Sequence, residues 1–77
     1  MNEKKKTAKE RIEQAYGSVN GFIMAKLKEY QGVLPMERTQ IYKLLNHETV
    51  NPGIKTLAIL ADMAGLDRAE VFEEYAE

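Results

Sequence analysis

RTQIYKLLNHETVNPGIKTL, the stretch from Arg38 to Leu57, joins a short helix to the start of the next helix through a polar turn. Ile41, Leu44 and Leu45 recur at the i, i+3, i+4 spacing that places apolar side chains on one helix face. The other positions of this helix carry mainly hydrogen-bonding side chains. The stretch therefore predicts a surface helix that is buried along one face and polar along the rest.

The rest of the chain has the same helical periodicity, with breaks at glycine and proline and no alternating strand pattern. The predicted fold class is all-α, a compact five-helix domain spanning residues 1–77. The predicted helices run from about Lys4 to Tyr16, from Ser18 to about Tyr30, from Pro35 to about Asn46, from Asn51-Pro52 to Gly65, and from Asp67 toward the end of the chain.

The predicted helix ends rest on capping residues. Ser18 and Asn51 are predicted N-caps, Pro52 suits a first helical turn, and Asp67 with Glu70 matches an acidic capping box. Glycines favour the left-handed conformation that commonly ends a helix, and here they are Gly17, Gly32 and Gly65.

The predicted core consists of side chains that share a stripe on each helix. They are Ala8, Ile12, Ala15 and Tyr16; Val19, Phe22 and Ile23, with Leu27 as a further candidate; Ile41, Leu44 and Leu45; and Ile54, Leu57, Ala58, Ala61 and Ala64. Met24 and Met63 are predicted to fill gaps in the core, because methionine adapts to irregular spaces.

Composition excludes several classes of function. The chain has no cysteine and a single histidine, so a disulfide framework or a thiolate metal site is excluded, and no cofactor is expected. It offers no cysteine nucleophile or phosphate-binding glycine loop, so no enzyme is expected. No apolar run approaches the roughly 20 residues that span a bilayer, and a cytoplasmic protein is expected.

Charge is distributed unevenly along the chain. The net charge of −1 argues mildly against nucleic acid as a binding partner. However, residues 1–11 carry five positive charges and residues 67–77 carry five negative ones. Residues 1–6 are expected to form a basic tail, which either follows a DNA backbone or only aids solubility. The two ends of the chain are predicted to meet different partners.

The pattern from Met36 to Leu66 resembles the lambda-repressor-like helix-turn-helix family of DNA-binding regulators. The matching positions are Gln40-Ile41, Leu44, Pro52, Thr56-Leu57, Leu60-Ala61 and Gly65-Leu66. Two features depart from that family: the connection YQGVLP before the third helix is longer than usual, and His47 stands where a glycine usually ends that helix. Histidine tolerates the left-handed backbone that such a position requires.

The resemblance implies that helix 36–46 lies in the major groove of double-stranded DNA. The implied base-reading residues are Arg38, Thr39, Gln40, Tyr42 and Lys43. Arginine can bond guanine O6 and N7 together, and Met36 is expected near a base methyl group. The alternatives are that these residues are a solvated helix face and that Tyr42 completes the packing of the domain.

The turn after this helix and the start of the next one resemble a phosphate clamp. The implied residues are Asn46, His47, Thr49, Asn51, Lys55 and Thr56. The alternative is that Asn51 only caps a helix and His47 only fills a turn, and Glu48 in this turn opposes phosphate.

The last helix places Val71, Phe72 and Tyr75 on one face, which is a candidate homodimer interface. The alternative is that this face closes the core of the monomer over the first helix.

The sequence therefore predicts a dimeric bacterial or phage-type transcriptional regulator that binds an inverted repeat. A repressor is favoured over an activator. The competing hypothesis is an antitoxin-like or adaptor module that binds a protein partner through its C-terminal helix, with weak or no DNA binding.

Overall fold

Five α-helices follow one another in the computed structural model, which describes residues 6–76. They are α1 (Ala8–Tyr16), α2 (Val19–Glu29), α3 (Arg38–Leu45), α4 (Ile54–Ala64) and α5 (Arg68–Tyr75). No strand occurs within the described range. The prediction of a compact all-α domain with five helices is confirmed.

The core takes at least one side chain from every helix. Phe22, Ile23, Ile41, Leu44 and Leu60 have no exposed surface, and no polar side chain of residues 6–76 is buried with them. The predicted stripes are largely confirmed, but two of their members, Ala15 and Ile54, lie at the surface, as does Met24, which was expected to fill a gap in the core.

Tyr16 and Phe22 hold the first two helices together, with their rings edge to face at a centroid distance of 5.2 Å. Gly21 lies in the first turn of α2, and a Cβ atom there would come within 2.7 Å of the Tyr16 carbonyl oxygen. The close passage of α1 past α2 therefore requires the glycine, although glycine disfavours a helix by itself.

Three helices begin at a side chain that accepts a backbone N–H. Thr7 and Glu10 form a reciprocal capping box, Ser18 caps α2, and Asp67 accepts from the N–H groups of Ala69 and Glu70. The predicted start of α1 near Lys4 lies outside the described residues, and α1 begins at Ala8, after its Thr7 cap. The Glu70 side chain pairs with Arg11, so Asp67 provides a one-sided cap.

The starts of α3 and α4 were predicted too early. Residues 35–37 are not helical. Met36 is 4% exposed and lies within the core, so the expectation that it lies near a base methyl group is wrong. Asn51 has a φ of 51°, in the left-handed region, and α4 begins after Gly53. Gly53, and not Asn51, has the extended backbone of an N-cap residue, so α4 starts at Ile54 instead of Pro52.

The end of α3 confirms the geometry expected at His47. Its φ is 59°, its N–H donates to the Leu44 carbonyl at 3.0 Å, and the Glu48 N–H donates to the Lys43 carbonyl at 2.8 Å. This pair of bonds is the Schellman arrangement that commonly ends helices at a glycine.

No helix among residues 6–76 combines the length and the apolar character needed to cross a membrane.

Two methionines, both predicted to lie in the core, provide a test of which faces of α2 and α4 are buried. Met63 is 1% exposed and Met24 is 54% exposed. Met63→Ala is expected to lower the free energy of unfolding by about 2–5 kcal/mol, because it opens a cavity. Met24→Ala, the matched control, is expected to change it by less than about 0.5 kcal/mol. Urea unfolding followed by circular dichroism measures both, and equal effects would contradict the assigned faces of α2 and α4.

Candidate nucleic-acid interface

The exposed face of α3 carries most of the predicted base-reading residues. Arg38, Thr39, Gln40 and Lys43 are exposed, and Tyr42 is half-buried against the core. Ile41, Leu44 and Leu45, on the opposite side, are at most 2% exposed, which fixes the rotation of the helix. The structure therefore brings four polar side chains to one surface, while Tyr42 contributes to packing.

Several cations at this surface have no partner among the residues that the structure describes. Arg38, Lys43 and Lys55 make no hydrogen bond or ion pair through their side chains within residues 6–76. Elsewhere, Arg11, Lys26 and Arg68 pair with the carboxylates of Glu70, Glu29 and Asp62, respectively. Lys28 on α2 is also unpaired.

The pairs that the other cations form shift the pKa values of their members. Hydrogen bonding to Arg68 lowers the pKa of Asp62, and hydrogen bonding to Glu29 raises the pKa of Lys26. These cations are committed to internal partners, whereas the cations of α3 and of the start of α4 remain available to an outside anion.

Only α3 and α4, among the described helices, begin without a side-chain cap. Their N-cap residues are Glu37 and Gly53. A helix N-terminus carries free N–H groups and partial positive charge, which together favour an anion. In α4 these groups lie beside Lys55 and Thr56, two of the predicted phosphate contacts.

The predicted phosphate contacts fall into two groups. Asn51 and Lys55 are exposed, and Thr49 and Thr56 are half-buried, all in the turn or the first helical turn of α4. The Asn51 side chain caps no helix, so the alternative that Asn51 is a cap is wrong. Glu37 and Glu48, at either end of α3, are exposed carboxylates without a partner in the described range.

Asn46 and His47, the other two predicted phosphate contacts, are engaged inside the chain. The Lys9 ammonium donates to the Asn46 side-chain oxygen at 3.0 Å. His47 Nε2 lies 2.6 Å from Glu74 Oε2, and its ring stacks on Tyr75 at a centroid distance of 4.4 Å. The end of α3 is thus joined to α1 and α5 by side chains.

Tyr75 fastens the same point through its hydroxyl group. This group donates to the Leu44 carbonyl oxygen at 2.7 Å. Burial raises the pKa of the Tyr75 hydroxyl, and the neighbouring negative charge of Glu74 raises it further. The hydroxyl therefore remains protonated as a donor through the neutral range.

The three residues of the predicted dimer interface differ in how far they are buried within their own chain. Val71 is 2% exposed in the core of its own chain, which agrees with the alternative that α5 closes the monomer, whereas Tyr75 bonds Leu44 of α3 and not the first helix. Phe72 is half-buried against the core and retains some exposed surface.

Sequence reasoning missed Glu74 and Lys9. Glu74 Oε1 accepts the Ala8 N–H at 2.7 Å, so one carboxylate joins the start of α1 to the end of α3. These contacts connect residues 27, 37 and 66 positions apart in the chain. No local pattern predicts pairs at such separations.

No family model, no curated protein and no solved structure matches the chain.

Tyr75→Phe removes the bond to Leu44 and keeps the ring. Because the Leu44 carbonyl still accepts the His47 N–H, the expected loss of unfolding free energy is about 0.5–1.5 kcal/mol. Tyr30→Phe is the matched control, since the exposed Tyr30 hydroxyl makes no hydrogen bond in the described range, and no loss is expected.

The pH dependence of this loss follows from the raised pKa of Tyr75. A hydroxyl with a folded-state pKa above its unfolded value of about 10 stabilises the fold fully below about pH 10, and the contribution is lost at higher pH. The difference between the parent and Tyr75→Phe should therefore shrink as the pH rises above about 10. Urea unfolding at a series of pH values measures it, and a constant difference would contradict the burial of the hydroxyl.

Proposed function

We propose that this protein is a sequence-specific DNA-binding transcriptional regulator that contacts the major groove through α3. In this proposal the protein acts as a repressor, and a homodimer binds an inverted repeat. The motif belongs to the helix-turn-helix type, with α2 and α3 as its two helices.

The observation that carries the proposal is the exposed face of α3. An eight-residue helix presents Arg38, Thr39, Gln40 and Lys43 outward, and neither cation has an internal partner among the described residues. Arginine, glutamine and threonine are residue types that recognise base edges. A helix held by its apolar face with such residues outward suits insertion into a groove.

The start of α4 supports a second kind of contact. Its uncapped N–H groups, together with Lys55 and Thr56, suit a DNA phosphate. In the proposed complex this contact positions the protein, while α3 supplies the sequence preference.

The homodimer is proposed through α5, with Phe72 as the side chain that can still contact a second copy. Two-fold proteins bind two half-sites about one helical turn apart, about 10 base pairs. The expected target is therefore an inverted repeat with that spacing or a multiple of it.

Selection from random duplex DNA, followed by sequencing, tests the proposal. The parent should enrich an inverted repeat. Arg38→Ala should weaken binding to the selected site by roughly 1–3 kcal/mol and relax the preference at one position in each half-site, because one bidentate base contact is lost.

Lys28→Ala is the matched control, since Lys28 is exposed and unpaired like Arg38 but lies on α2. It removes the same charge and should leave the selected sequence unchanged. Equal effects of the two variants would show that only charge matters, and a folded parent that enriches no sequence at low salt would contradict the proposed function.

A second candidate function is a protein-interaction module that uses the same surface. Val50 is 84% exposed and Ile54 is 71% exposed, directly beside the predicted phosphate contacts. Large apolar side chains suit a protein partner better than a phosphate. This candidate requires no DNA contact.

Salt distinguishes the two candidates. Binding to DNA through about four to six phosphates should weaken roughly a hundredfold to a thousandfold between about 50 and 200 mM salt. Binding to a protein through Val50 and Ile54 should change little over the same range, because apolar contacts carry no charge. Fluorescence anisotropy of a labelled duplex measures the first dependence, and a folded protein that does not bind the duplex at about 50 mM salt would favour the protein partner.

A further inference from the structure

His47 lies beside the proposed DNA surface but is already occupied. Its side chain is 45% exposed, while that of Glu74, its partner at 2.6 Å, is 17% exposed. A shallow groove brings these two residues together with Thr49 and Asn51, which are predicted phosphate contacts. The carboxylate of Glu74 therefore lies next to the positions at which a phosphate is expected.

We infer that Glu74 is an internal competitor for DNA phosphate, which occupies His47 and thereby limits the affinity of the protein for DNA. This inference rests on the proposed function and names a residue that regulates the same surface. It assigns a role to a side chain that makes no contact with DNA in the proposal.

The chemistry of the pair supports this role. Carboxylate and phosphate oxygens are both acceptors for an imidazole N–H, and an ionised acceptor makes the bond stronger. One imidazole N–H cannot serve both acceptors well. The Nε2 donor of His47 is therefore available to a phosphate only when it leaves Glu74.

Glu74 is fixed in this position by a second bond. Its Oε1 accepts the Ala8 N–H at 2.7 Å, while its Oε2 meets His47. The Tyr75 ring lies parallel to the imidazole, with an interplanar angle of 2°, and limits its rotation. The competitor and the imidazole are thus both held in place before any DNA arrives.

The negative charge of Glu74 opposes phosphate binding, as does its hydrogen bond to His47. With Glu74 ionised, the pair carries a net charge of zero or −1, depending on the imidazole. Glu74→Gln raises the net charge by one in either state, while its side-chain oxygen still accepts the Ala8 N–H. Lys9, which bonds Asn46, is unaffected by this substitution.

A double-mutant cycle on the full chain tests the inference. The four proteins are the parent, Glu74→Gln, His47→Gln and the double variant, each titrated onto the selected duplex at about 50 mM salt. Glu74→Gln should tighten binding by clearly more than the roughly threefold expected from removing one like charge about 6 Å from a phosphate in water, because it also releases the imidazole. His47→Gln should change the parent by less than about twofold and should reduce the gain in the Glu74→Gln background to about that threefold, because only there has the imidazole lost its ionised acceptor.

Tyr75→Phe is the control for loosening of the junction. It weakens the attachment of α5 to α3 without changing charge, so it should not tighten DNA binding. Tightening by Tyr75→Phe equal to that by Glu74→Gln would show that mobility, and not competition, sets the affinity, and would overturn the inference. Urea unfolding of each variant establishes that the compared proteins are folded.

A second measurement does not depend on the folding of any variant. Because His47 is the single histidine, its imidazole C–H signals in proton NMR can be assigned without ambiguity. In the parent they should remain near their free positions at saturating duplex, since Glu74 keeps the ring. A large shift would place His47 on the DNA with Glu74 present and would overturn the inference.

The outcomes separate the inference from the proposed function. If the parent binds the selected duplex but Glu74→Gln binds no more tightly, or the two substitutions are additive, the inference is wrong and the function stands. If the parent binds no duplex, the function and the inference both fail.

Discussion

The burial of Ile41, Leu44 and Leu45 determines what the rest of the molecule presents to solvent. An isolated eight-residue helix is too short to be stable in water, so α3 exists because its apolar face is held by the core. These three side chains also fix the rotation of α3, which means that the outward position of Arg38 and Lys43 follows from the packing beneath them. The same core that stabilises the domain therefore orients the surface proposed to contact DNA.

The end of α3 is held from a different direction. His47 adopts the left-handed conformation that closes the helix, and the Leu44 carbonyl accepts both the His47 N–H and the Tyr75 hydroxyl. A glycine at this position would close the helix equally well but would offer no side chain to α5. Histidine in place of glycine thus links the exit of α3 to the C-terminal helix. The substitution that departs from the resembled family is also the one that connects its proposed DNA surface to α5.

The sequence predicts features that depend on residues close together in the chain better than contacts between residues far apart in it. Helical stripes correctly predict the burial of Phe22, Ile23 and Ile41, because a period of 3.6 residues reports which side of a helix is buried. Met24 was misplaced because it follows the buried Ile23 directly and lies about 100° further around the helix.

The candidate site was predicted less completely than the fold. The prediction of Asn51 as a cap is wrong: an asparagine before a proline resembles a helix start, but Asn51 has a left-handed backbone and Gly53 takes the N-cap position. The exposed residues of α3 could be predicted, since they are the complement of its buried stripe. The junction of His47 with Glu74 could not, because it depends on how α1, α3 and α5 meet in space.

The net charge of −1 gives a poor description of the proposed interface. Most carboxylates in the described range are committed: Glu10 and Asp67 cap helices, and Glu29, Asp62, Glu70 and Glu74 meet cations or the imidazole. Pairs of this kind contribute little field at a distance, so the local balance of α3 and α4 depends on their own unpaired side chains.

The balance at this surface is itself mixed. Arg38, Lys43 and Lys55 lie between Glu37 and Glu48, which are exposed and have no partner in the described residues. For a DNA-binding protein, nearby carboxylates weaken the attraction to phosphate that every sequence offers equally, while a base contact from Arg38 retains its value. A surface with few free cations and flanking acids therefore favours discrimination between sequences over raw affinity. Glu74, beside His47, extends the same balance to the turn that follows α3.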